Sequence, residues 1–129
     1  MPKGIIMKKL AAVAVVAFSL VSVQAFAGSP VQIWKCGMDG DVTEEAIQEY
    51  AAKWEKGAAA LPGGEGMSTD VLFPVAAAAD GNGTDLVYLV EWASFADYGK
   101  WWDTYPDSDV AATEGEVLSC HGSALWEKM

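Results

Sequence analysis

His121 is the single histidine of this 129-residue chain. It stands beside Cys120 in an apolar, strand-like segment near the C-terminus. As a general base it needs a cleft and an orienting carboxylate, and Glu91 is the nearest candidate by element order. Otherwise it is a half-buried strand histidine bonded to backbone or water. Metal binding needs more than one imidazole or thiolate in a cluster, and no such set is visible, so no metal is expected. Asp80 to Glu91 has carboxylates and amides at calcium-loop spacing. Asp85 occupies the place where a calcium loop requires glycine, and the apolar run LVYLV replaces the helix that must follow. That segment reads as a hairpin.

The six tryptophans are the most unusual feature of so short a chain: Trp34, Trp54, Trp92, Trp101, Trp102 and Trp126. They suit either the lining of an aromatic ligand cavity or the filling of a core and interface otherwise rich in alanine. On the first reading Trp54, Trp92, Tyr98 and Trp101 are the candidate ligand-binding residues. Trp101 and Trp102 are adjacent and cannot share one helical face, so one of them must point away from the core.

These side chains have to be positioned by one small domain. Lys3, Lys8 and Lys9 precede an uncharged run from Leu10 to Ala27 that ends in Ala25-Phe26-Ala27, the pattern of a cleavable signal peptide over residues 1–27. The apolar stretch is short for a membrane span. Residues 28–129 then form a single domain, exported to a periplasm or beyond. All 18 carboxylates fall in that part, against five lysines and no arginine, a charge of −13. Such a surface repels phosphate backbones and anionic lipid, so neither nucleic acid nor, after cleavage, a membrane is an expected partner. In an oxidising compartment Cys36 and Cys120 are expected to form one disulfide, with two buried free thiols as the alternative. They lack the C-x-x-C spacing of a redox pair.

Gln32 to Met38 reads as a strand. Asp41 or Thr43 is placed to cap a helix whose buried face is Ile47, Tyr50, Ala51, Trp54, Ala58 and Leu61, stopped by Pro62-Gly63-Gly64. Thr69 to Ala78 reads as an edge or bulged strand because of Pro74. Asp80-Gly81-Asn82-Gly83 is turn chemistry, and Leu86 to Val90 has the doubly apolar pattern of a central strand. Ser94 caps a second helix with Phe95, Tyr98, Trp102 and Tyr105 on one face, and Glu116 to Trp126 is the last strand. The fold class is therefore α+β: a ferredoxin-like β-α-β-β-α-β chain, with an antiparallel four-stranded sheet and two helices on one face. That topology makes the first and last strands neighbours, which brings Cys36 opposite Cys120.

Leu89 to Trp102 (LVEWASFADYGKWW) resembles the third strand and second helix of the dimeric α/β-barrel superfamily, which includes antibiotic-biosynthesis-type and haem-degrading monooxygenases. The resemblance implies a homodimer whose sheets pack face to face. The haem-degrading members resemble this chain at Trp101 and in Ser108-Asp109-Val110, but place a haem-ligating histidine shortly afterwards, where Glu114 and Gly115 stand here. Their first-strand asparagine is also missing. No cofactor is expected. Two readings of function follow. The first is an exported domain that binds a small apolar or aromatic ligand in a cleft between sheet and helices. The second is a cofactor-independent oxygenase or isomerase of the same superfamily, with His121 or Tyr88 as proton handler. Whether the chain is an enzyme stays open at this point.

Overall fold

The computed structural model describes residues 28–76 and 83–129. The expected signal peptide lies outside the described residues, as do Asp80, Gly81 and Asn82 of the expected hairpin turn. The elements are β1 (Ser29–Met38), α1 (Glu44–Ala59), β2 (Ser68–Leu72), β3 (Leu86–Glu91), α2 (Phe95–Thr104) and β4 (Leu118–Lys128). Two short 3-10 turns, Tyr105–Asp107 and Ala111–Thr113, connect α2 to β4. The sheet order is β2-β3-β1-β4 with every pair antiparallel, which is the ferredoxin-like arrangement.

Cap chemistry sets both helix starts. The Thr43 side chain accepts from the Ala46 amide at 3.2 Å, and Glu44 and Glu45 sit at the positive end of the dipole. Ser94 accepts from the Asp97 amide at 3.1 Å. Ile47, Ala51, Trp54 and Ala58 form the buried stripe of α1, with Tyr50 half-buried beside it and Leu61 in the turn beyond. Gly63 closes that turn with φ +83°, and a Cβ there would sit 2.3 Å from the Asp97 carbonyl. Only glycine lets this turn lie so close against α2.

Three sequence expectations are corrected. The second strand runs Ser68–Leu72 and stops short of Pro74, which has no amide to give the ladder; Ala77 and Ala78 of the expected strand lie outside the described residues. The last strand begins at Leu118 and runs to Lys128 instead of spanning Glu116 to Trp126, since its pairing with β1 continues to Ser29. On α2 the buried face runs through Trp101 and continues to Tyr105. Phe95 is 41% exposed, and Tyr98 and Trp102 are half-buried. Trp101 takes the interior, where its Nε1 donates to the Ala58 carbonyl of α1 at 3.0 Å.

The helices cover one face of the sheet. Leu86, Tyr88 and Val90 of β3 point to that side and are buried, while Val87, Leu89 and Glu91 alternate to the other. Register with β1 and β4 places Val31, Ile33, Ala124 and Trp126 on the uncovered side with them. Cys36 and Cys120 are directly paired and form the expected disulfide, closing a separation of 84 residues. The β1–β4 register shifts between Lys35 and Cys36, so His121 is the extra residue of a bulge.

Candidate functional site

A cleft of about 1020 Å³ opens on the helix side of the sheet. That is at the large end of the range for small-molecule sites. Its floor is Trp34 of β1 and Tyr88 of β3. Tyr50 and Trp54 of α1, Trp101 and Trp102 of α2, and the loop from Tyr105 to Gly115 supply the walls, with Leu118, Ser119 and Cys120 of β4 completing it. β4 is exposed along most of its length, so this edge of the sheet is left largely uncovered beside the cleft.

The aromatic side chains pack into one another, which fixes their orientation. Trp54 meets Tyr88 edge-on at 5.6 Å and Tyr105 at 5.9 Å, and Trp101 stacks on Tyr105 with centroids 4.2 Å apart. Trp54 Nε1 donates to Tyr105 Oη at 3.1 Å, and Tyr105 Oη in turn donates to Glu114 Oε1. Tyr50 Oη reaches the Thr113 carbonyl at 3.4 Å. The 3-10 loop is thus tied to α1 through two tyrosines. Burial first, and the hydrogen bond to Glu114 second, hold the Tyr105 phenol well above its ordinary pKa. Burial also raises Tyr50 and, far more, Tyr88.

Tyr88 differs from its neighbours. It is 6% exposed and its Oη has no hydrogen-bond partner, and Trp102 Nε1 is likewise buried and unpartnered. A buried phenol or indole without a partner costs about 1–3 kcal/mol. Both residues are in the cleft wall.

Of the residues expected to bind ligand, Trp54 and Trp101 line the cleft and Trp92 and Tyr98 do not. Trp92 is fully buried and packs edge-on against Tyr98 at 4.8 Å and Trp101 at 5.1 Å, supporting the wall from behind Trp101. Tyr88, expected as a proton handler, is in the wall. His121 is exposed, outside the cleft, and its Nε2 is 2.9 Å from Thr84 Oγ1. Glu91 does not orient it: Glu91 lies across from Val31 and pairs with Lys128 at 3.4 Å. Sequence reasoning named Trp34 and Trp102 only among the six tryptophans and did not single out Tyr50, Tyr105 or Glu114 as site residues. Tyr105 before Pro106 marked only a helix end, and nothing local signalled that the acidic loop folds back over α1.

The donors of the cleft do not suit haem. No imidazole lines it, Glu114 is engaged by Tyr105, and the two cysteines are bonded to each other. Among the described residues no group of three histidine, cysteine or acidic side chains could hold a metal ion.

No protein-family model matches the sequence, and no curated protein matches it. Solved structures do match. A provisionally assigned monooxygenase from Shewanella loihica PV-4 superposes with a TM-score of 0.53 at 22% identity, covering 81% of this chain and 97% of that one. A protein from Thermobifida fusca YX, described as dimeric, ferredoxin-like and of unknown function, gives 0.53 at 13% identity over 79% of this chain and 92% of that one. A provisionally assigned chlorite dismutase gives 0.50 at 10% identity, with 79% of this chain matching 45% of a longer one. Sheet order and these superpositions agree: the chain has a ferredoxin-like fold.

Proposed function

We propose that this chain is an exported binding protein that takes a small apolar or aromatic ligand, bearing an oxygen acceptor, in the cleft between sheet and helices. The observation that carries the reading is Tyr88 Oη, unpartnered in a cleft to which seven aromatic side chains contribute. Trp102 Nε1 adds a second free donor. A ligand oxygen that meets these groups removes the cost of burying them, while the rings take up its apolar body.

The protein acts as a homodimer through the uncovered sheet face. Val31, Ile33, Val87 and Leu89 lie there between Leu72, 52% exposed, and Trp126, 61% exposed. A contiguous apolar face of this kind is more than a monomer usually leaves in water. The neighbour from Thermobifida fusca is described as dimeric.

The enzymatic alternative, a cofactor-independent oxygenase or isomerase, draws on the fold shared with a provisionally assigned monooxygenase. Its proton handler is the weak point. Burial holds the Tyr88 phenol in its neutral form, able to donate a hydrogen bond but not to act as a base, and His121 is outside the cleft.

Small molecules extracted from the purified protein and compared by mass spectrometry with those from Ala112→Trp test the reading. Ala112 is exposed at the cleft and a tryptophan there obstructs it. A compound carried by the native protein and lost from the variant is expected. Identical extracts would contradict it.

A further inference from the structure

The charge on the cleft wall has one sign. Asp107, Asp109 and Glu114 line it, and no lysine or histidine does. The three carboxylates are on exposed positions of the loop that folds over α1, so they form a rim above the rings. They are not a metal site, because no described group of three such ligands is close enough to hold an ion. Beneath the rim lie the aromatic rings: Trp54 meets Tyr88 at 86° and Tyr105 at 70°, and Trp101 stacks on Tyr105. The faces of such rings carry negative charge density and attract a weakly hydrated organic cation. Neither feature suits an anion, which the chain's overall negative charge also repels.

Tyr88 is the independent observation that something polar belongs among these rings. Its buried oxygen is both a donor and an acceptor, and it has no partner. We propose that the cleft binds a small organic cation, a quaternary or protonated alkylammonium carrying a neutral oxygen. The charge sits between the aromatic faces and Glu114, and the oxygen meets Tyr88 Oη. This deepens, and rests on, the reading of the cleft as a ligand site.

Three phenols of matched size separate charge from shape in calorimetric titrations of the purified protein. They are meta-hydroxyphenyl-trimethylammonium, its neutral carbon isostere meta-tert-butylphenol, and the anion meta-hydroxybenzenesulfonate. The cation is expected to bind about tenfold or more tightly than the isostere, and the sulfonate least of all. In a Glu114→Gln, Asp107→Asn variant the cation is expected to lose several-fold more affinity than the isostere, so that the gap between them narrows; an equal loss of both would overturn the charge assignment. Both sites are exposed, and Gln keeps an acceptor for Tyr105. If the isostere binds as tightly as the cation, or the sulfonate binds best, the charge assignment is overturned while the ligand site stands. If none of the three binds, the ligand site falls and takes this inference with it.

Discussion

Removing the Cys36–Cys120 bridge by a Cys36→Ala, Cys120→Ala double substitution should be one of the most costly changes this fold can still survive. The bridge closes a separation of 84 residues, most of the described chain. In the chain-entropy account such a loop restricts the unfolded ensemble enough to contribute about 4 kcal/mol. Cys36 is fully buried, so deleting its sulfur adds a smaller packing loss, whereas Cys120 is exposed and adds little. Set against a stability of about 5–15 kcal/mol for a domain, this leaves a folded but marginal protein. The melting temperature should fall by about 15–30 °C, and the urea midpoint by several molar at a slope of about 1 kcal/mol per molar. The slope itself should rise, because an unfolded chain without the bridge expands and exposes more surface. Urea denaturation followed by tryptophan fluorescence, with and without a reductant, reads all of this. A midpoint shift worth less than about 1 kcal/mol, or two reactive thiols in the denatured, unreduced protein, would refute the reasoning.

Three further outcomes are expected. Tyr50, Tyr88 and Tyr105 all have raised folded-state pKa values, so their contribution to stability is complete below the ordinary phenol value of about 10 and is lost as pH rises beyond it. Urea midpoints should therefore drop between about pH 9 and about pH 11, and equal midpoints would contradict the burial of these phenols. Light scattering at micromolar concentration should return twice the chain mass, and Leu89→Lys on the uncovered sheet face should return the monomer; a native monomer would remove the paired-sheet reading. Haem titration should give weak binding with no sharp ligand-field spectrum, and His121→Ala should change nothing. A tight complex lost in that variant would make His121 an axial ligand.

The parts of this fold that were legible in the sequence are those written in local chemistry. Thr43 and Ser94 cap because a hydroxyl stands where free amides need an acceptor. LVYLV is a central strand because it is apolar in both phases of the alternation, and the element order then brings Cys36 to Cys120. The site was legible only in outline. Trp54 and Tyr88 were visible as aromatic residues on buried faces, but the spacing placed Trp102 on the helix face of α2 where the structure buries Trp101. Local spacing does not show the Ala58 carbonyl, 43 residues away, to which Trp101 donates. Nor does any local pattern announce that Tyr105 and Glu114 meet, since their contact forms only when two short 3-10 turns reverse the loop over α1. His121 drew attention as the lone imidazole, yet it follows Cys120 in β4 and lies outside the cleft.

A crystal structure of the protein purified from an exporting host, without added ligand, tests the account most directly. The expected result is density for a small molecule in the aromatic cleft, with an oxygen within hydrogen-bond reach of Tyr88 Oη and Trp102 Nε1. A cleft closed by its own side chains, or a Tyr88 hydroxyl satisfied by a protein group, would contradict it.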